Sequence, residues 1–513
     1  MLTYNPDYKL FIWNGPYESR HLPKDAGFEW SPSGKKWFTG TPYIAYKLRK
    51  HAVNGAAAAL EPLRFNIEAG ARETPVLPVD DRLYPFQNAG VETIVERMRR
   101  GRVQQLLADD MGLGKTPQSL CISNEMGFKK LLVICPASVR IKWCREINKW
   151  HKHNPGVQAY TSGKQDLSVD ESIVTSYALA NDLVNYKPDF IIIDEAHYCK
   201  NPEAQRTQLI LGDYREQWRG LIADTPTLFL SGTPEPNGRP SELYPIIRRS
   251  APDIINSMNF WPFVQRFCNY IEDDYGSTII KGARNREELY IRLRGSGFMT
   301  RRLKKDVLKD LPPKVYNLVV FPMTSDTAKI IKKEEAFDAR EIKRHGGPAP
   351  DSGLAEIRHE MGLAIVKQAL DYVRDILSSV DKVVLFCHHR DVMAKLLDKL
   401  KEYNPVHIIG GMGVKNRQKA MDLFQTDPQV RVFVGNEAAE EGIDLFAAQD
   451  VILVEPEWLP GKNDQRADRL HRIGQTGSVN VHILVVENSL GLKILGDAAD
   501  KADDIKFTLD EHS

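Results

Sequence analysis

Short apolar runs recur along the chain in two series. The first occupies 131–135, 173–175, 190–193 and 227–230, with Gln104-Gln105-Leu106-Leu107-Ala108 ahead of it. The second begins near Asp381 and occupies 383–387, 406–409, 430–434, 451–454 and 479–486. The first series is continuous rather than alternating, which marks strands covered on both faces, and strands spaced by helical patterns predict parallel sheets. Between the series, residues 251–355 lose this rhythm and read as helical and charged, with a Gly/Pro loop at 346–353. Before the first series, Arg82-Leu83-Tyr84-Pro85-Phe86-Gln87 leads into a helical pattern over about 88–100. Residues 52–80 hold Ala56 to Ala59 and several prolines without lasting periodicity, which predicts a linker.

The first fifty residues differ from the rest. Trp13, Trp30 and Trp37 fall here among many Tyr and Phe, and 28–38 reads as two short strands around a Pro/Gly turn. A helical pattern with Lys47, Arg49 and Lys50 follows. Two readings stand: a small module that uses aromatics as its core, or a platform of aromatics and cations for nucleic acid. The expected architecture is α/β, with two parallel-sheet lobes, helical insertions and a small aromatic-rich α+β N-terminal module. The expected division is 1–55 module, 56–80 linker, 81–250 lobe one, 251–355 helical insertion, 356–490 lobe two and 491–513 acidic tail.

Composition narrows the function classes. The net charge of +1 excludes a globally basic nucleic-acid binder and leaves local patches open. Six cysteines without a C-x-x-C pair argue against a zinc site or a disulfide framework and for free thiols in a reducing compartment. The chain opens with no signal-peptide pattern and holds no apolar run of membrane-spanning length, so a soluble, intracellular protein is expected.

The chemistry starts at Asp109-Asp110-Met111-Gly112-Leu113-Gly114-Lys115-Thr116. A strand, a Gly-containing loop and a helix form the context of a phosphate-binding loop. Gly112 and Gly114 let backbone N–H groups close around phosphate oxygens, Lys115 would reach the β- and γ-phosphates, and Thr116 would hold Mg²⁺. The run at 190–193 ends in Asp194-Glu195-Ala196-His197, two acids at a buried strand's carboxyl end. Asp194 would hold Mg²⁺ through water, and Glu195 would orient or deprotonate the attacking water. Ser231-Gly232-Thr233-Pro234 ends the next run on the same edge. Gln87 is either an adenine reader or a surface residue. Arg301-Arg302-Leu303-Lys304-Lys305 reads as a solvated basic face, with phosphate contact the minority alternative. Near the end, Arg469 and Arg472 lie three apart in a helical pattern and could complete a site on the other lobe as arginine fingers.

Taken together, these motifs, with Cys135-Pro136-Ala137-Ser138, Trp143 and His471-Arg472-Ile473-Gly474-Gln475, resemble the Swi/Snf-type branch of superfamily-two helicases. Within it, Leu303-Lys304-Lys305-Asp306-Val307-Leu308, Leu311-Pro312-Pro313-Lys314 and Ala438-Ala439 resemble the annealing-helicase, HARP-containing subgroup. The resemblance implies two RecA-like lobes, ATP and Mg²⁺ in the cleft between them, and ATP-driven translocation along duplex or branched DNA. It implies nucleotide contacts from Gln87, Asp110, Met111, Gly112, Leu113, Gly114, Lys115, Thr116, Gly442 and Asp444. It implies DNA contacts from Ser138, Arg140, Ser176, His389, Gly411 and Asn436. Two features depart from the family: Glu440 and Glu441 stand where a Gly pair is frequent, and Asp444 stands where Asn or Thr is usual. Three functions follow: a remodeller of branched or displaced DNA, a motor that strips or recycles a DNA-bound protein, and a nucleic-acid scaffold with a silent ATP site. A monomer without membrane contact is expected, its protein partner left open. Its compact size suits a bacterium or virus, and in a eukaryote it would be nuclear.

Overall fold

The computed structural model describes residues 1–161, 170–213, 219–235, 238–272, 278–309, 311, 314–345, 353–436, 439, 443–457, 460–472, 475 and 477–492. Gly442, Glu440 and Glu441 lie outside the described residues, as does the tail from 493.

Lobe one is built on a seven-stranded sheet. Its order is Met299–Thr300, Gln104–Leu107, Thr227–Leu230, Phe190–Asp194, Leu131–Cys135, Ser172–Ser176, Val157–Ala159. Every neighbouring pair is parallel. Alternate residues go to opposite faces: Leu106, Ile134, Ile193 and Phe229 enter one core, and Leu107, Val133, Ile192 and Leu228 the other. That double burial is why these strands read as unbroken apolar runs. Lobe two repeats the plan with six parallel strands, ordered Lys314–Phe321, Val479–Val486, Asp450–Leu453, Val383–Phe386, Val432–Gly435, Val406–Ile408.

Two expectations need correction. The stretch 251–355 is not simply a helical insertion, because Met299–Thr300 completes the first sheet and Lys314–Phe321 begins the second. It also holds an antiparallel hairpin, Cys268–Glu272 with Thr278–Ala283. Lys314–Phe321 is hidden in the sequence because it is an edge strand. Lys314 and Asn317 interrupt its apolar run, and Val315, Tyr316, Leu318 and Val320 stay exposed. The expected linker at 56–80 is largely the helix Gly55–Ala71. It buries Ala56, Leu60, Leu63 and Ile67, a stripe at spacings of four, three and four that its alanines and Pro62 disguise.

This helix joins the N-terminal module to lobe one. The module is a four-stranded antiparallel sheet, ordered Leu2–Asn5, Leu10–Trp13, Lys36–Thr39, Glu29–Ser31. Leu2, Phe11 and Trp13 share one core with Leu60, Leu63 and Ile67 of the helix and with Tyr290 and Ile291 of lobe one. Among the described residues, no helix is long and apolar enough to cross a membrane.

Candidate active site between the two lobes

In an open parallel sheet, ligands bind beyond the carboxyl ends of the strands. The motif residues of both lobes stand there. Helix Lys115–Met126 starts directly after the phosphate loop, where φ is 81° at Gly112 and 72° at Gly114. At Gly114 a Cβ would also lie 2.3 Å from Gln87 Nε2, so both backbone and neighbour demand glycine. Gln87 is therefore no surface residue. It is buried, donates to the Leu113 carbonyl at 3.0 Å and accepts the Tyr84 N–H at 2.9 Å, bracing the loop from behind.

Lys115 is half-buried, and its Nζ donates to the carbonyls of Asp109 and Asp110 at 2.7 and 3.1 Å. Burial pushes its pKa down, against the pull of the nearby Glu195. Burial and the adjacent Glu195 push the Asp194 carboxyl up to about 6, although Trp143 Nε1 donates to it at 2.8 Å. Glu195 sits at φ 53°, a left-handed conformation that costs energy for a side-chain-bearing residue and recurs at functional sites. Its Oε2 lies 3.3 Å from His197 Nδ1.

Lobe two brings its arginines to the same cleft, but not on a helix as the sequence pattern predicts. The helix Pro460–Ala467 ends first, and the chain tightens as the N–H groups of Arg469 and Leu470 bond only three residues back. The Arg469 carbonyl accepts the Leu445 N–H at 2.9 Å, which holds the loop to the strand-end segment carrying Asp444. The Arg469 guanidinium is buried, and its Nε has no partner among the described residues. Burial first, then the neighbouring Arg472, push it down to about 10. Arg472 pairs with Asp444, whose other oxygen lies 3.2 Å from Lys142 of lobe one. Burial alone would raise the Asp444 carboxyl; Arg472 and Lys142 outweigh it and hold it below the usual range.

Met111, Gly112, Gly114, Lys115, Thr116, Asp194, Glu195, Asp444, Arg469 and Arg472 line one cavity of about 340 Å³. That volume lies within the range of small-ligand sites. Its donor set is a half-buried ammonium and an arginine with an unpaired nitrogen, opposite the carboxylates of Asp194 and Glu195. This fits a polyanion carrying a divalent cation.

The basic cluster proves to be the cavity's support, not a solvated face. Arg302 makes a two-pronged pair with Asp109, at 2.7 and 3.1 Å, with side chains 2% and 0% exposed. Arg301 donates to the Ala108 carbonyl at 2.6 Å and lies 3.3 Å from Asp110. The available signal was the Asp109-Asp110 pair itself, since two acids entering a buried loop require cations.

The expected DNA contacts also stand at strand carboxyl ends. Ser138 and Ser176 share an open groove with Tyr177, Tyr198 and Arg206. Arg140 spends its guanidinium on the carbonyls of Tyr160 and Ala137. In lobe two, His389 lies 2.6 Å from Glu455 and stacks on His359 with centroids 4.3 Å apart. Gly411 is exposed at φ 88°, and Asn436 is buried just after Val432–Gly435.

Two parallel-sheet lobes thus enclose one polar cleft at their strands' carboxyl ends. The SNF2-related domain matches residues 86–352 and the helicase conserved C-terminal domain matches 368–474; the chain belongs to the SNF2-related family. It is 33% identical over 442 residues to the SWI/SNF-related matrix-associated actin-dependent regulator of chromatin subfamily A-like protein 1 of Xenopus laevis, covering 81% of this chain and 44% of that protein. It is 32% identical over 448 residues to the human DNA annealing helicase and endonuclease ZRANB3, covering 81% and 39%. The chain thus spans less than half the length of these relatives. A solved Sulfolobus solfataricus SWI2/SNF2 ATPase core in complex with dsDNA aligns with a TM-score of 0.40 at 23% identity, over 86% of this chain and all of that one.

Proposed function

We propose that the chain is a DNA-dependent ATPase that translocates along duplex DNA and remodels branched or displaced DNA. The observation that carries this reading is the cleft: Lys115, Thr116, Asp194 and Glu195 from one lobe face Arg469 and Arg472 from the other across one cavity. Lys115 would hold the β- and γ-phosphates, and Thr116 and Asp194 would hold Mg²⁺, which neutralises phosphate charge. Glu195 would take a proton from the attacking water, and the arginines would meet the charge that develops on the transferred phosphoryl group. Lobe closure with ATP and reopening after hydrolysis is hinge motion around a ligand.

The annealing activity in the name of the human relative, and the chain's 32% identity to it, support remodelling as the purpose of the motor. Ser138, Ser176, His389, Gly411 and Asn436 would contact the DNA backbone; such grip is insensitive to sequence and sensitive to salt. A motor of this kind works as a monomer wherever DNA is kept: the bacterial or viral cytoplasm, or a nucleus. The test is ATPase activity without DNA and with single-stranded, duplex and forked DNA, beside a triplex-displacement assay. Stimulation by duplex with triplex displacement supports the reading. Hydrolysis indifferent to DNA removes the translocase.

A further inference from the structure

Lys304 opens the short helix Lys304–Val307, where the chain passes from the first lobe to the second. Its backbone N–H donates to Asp110 Oδ2 in the phosphate loop at 3.0 Å. Its side chain reaches the other lobe: Nζ lies 2.6 Å from Asp468 Oδ1 and 2.7 Å from the His471 carbonyl. Asp468 directly precedes Arg469, and its own carbonyl accepts Arg472 Nε at 2.7 Å. Lys314 places a second cation 3.3 Å from the same carboxylate oxygen. A Cβ on Gly112 would lie 3.5 Å from Lys304 Cε and 3.1 Å from Arg472 Cγ, so loop, lysine and arginine are in mutual contact.

The Lys304 and Asp468 side chains are only 9% and 10% exposed. Desolvating both charges offsets most of their attraction, and apolar residues of the same volume would stabilise the junction as well. The use of a buried ion pair here is fixing a register. It joins a residue bonded to the phosphate loop to a residue beside both arginines.

We propose that Lys304 is a positioning residue for hydrolysis: it ties the phosphate loop, through Asp110 and Gly112, to the arginine loop, through Asp468. Arg469 and Arg472 are thereby set against the transferring phosphate. This rests on reading the cleft as the ATP site.

The test uses the full chain with Lys304→Met, Asp468→Asn, the double variant and Lys304→Arg. Duplex-stimulated ATPase is measured beside equilibrium binding of a fluorescent ATP analogue. Each single substitution lowers kcat on the order of 10- to 100-fold, the range of strongly coupled contacts. Analogue Kd stays within about threefold, the double variant is no slower than the slower single, and Lys304→Arg recovers part of the loss. If Lys304→Met unfolds, the isosteric Asp468→Asn decides. Unchanged kcat, affinity falling in step with kcat, or losses that multiply in the double variant overturn the proposal. A wild-type chain without ATPase activity would instead overturn the reading of the cleft.

Discussion

At the residue scale, the proposed roles divide the cleft into groups that would bind and groups that would act. Lys115 Nζ is held by two backbone carbonyls of the loop. Lys115→Ala should abolish turnover and weaken nucleotide binding together. Glu195→Gln keeps the shape but cannot accept a proton, so it should bind ATP and not hydrolyse it. A fluorescent-nucleotide titration beside single-turnover hydrolysis checks both; wild-type hydrolysis by Glu195→Gln would remove its assigned role. Arg469→Ala and Arg472→Ala should lower kcat far more than affinity, since arginine fingers are worth ~10³–10⁵ in rate. Arg472 carries a further expectation, because Asp444 already holds it. Incoming phosphate must compete with that carboxylate, so Asp444→Asn should lower the apparent Kd for ATP. A raised Kd would show that Asp444 places Arg472 rather than restrains it.

At the element scale, legibility followed burial. Strands covered on both faces, such as Thr227–Leu230 and Val383–Phe386, declared themselves through continuous apolar runs. Lys314–Phe321 did not, because an edge strand has one neighbour and keeps polar residues. The candidate acids Asp194 and Glu195 and the Gly-containing loop were readable as a site because their pattern is local in sequence. The support of that loop was not, because Arg302 and Asp109 are partners 193 residues apart. Periodicity cannot show that a basic run turns inward to meet carboxylates. The pairing makes a prediction: Arg302→Met leaves Asp109 buried without a cation, a loss of roughly 3–5 kcal/mol. Differential scanning calorimetry should show lobe one melting on the order of 10 °C lower. Arg302→Met with Asp109→Leu should recover much of that loss, because an apolar pair needs no solvation. A double variant as unstable as the single would mean that hydrogen bonds from Arg302 to Gln118 and Phe86, rather than the ion pair, hold the junction.

At the scale of the whole molecule, the N-terminal module is part of lobe one's packing. Its core continues through Leu60, Leu63 and Ile67 into Tyr290 and Ile291, so cutting the chain near residue 50 would bare an apolar face on lobe one. Point substitutions on its surface therefore test its role better than truncation. Trp13, Trp37 and Trp30 are cross-strand partners in one row that runs from core to edge, and Trp30 is 48% exposed. Most of the module's aromatics are thus consumed by its core, as a sheet this small requires. Lys35, Lys36 and Lys50 are exposed, and the Arg49 guanidinium lies 4.6 Å from the Tyr46 ring centroid. If this face meets DNA phosphates, Lys35→Ala with Lys36→Ala and Lys50→Ala should leave duplex-stimulated ATPase near wild type. The slope of log K against log salt for a forked substrate should become shallower by about 0.9 for each phosphate no longer neutralised. Strand annealing should fall in parallel with that slope. Fork binding with an unchanged salt slope, and undiminished annealing, would assign this face to a protein partner or to structure alone.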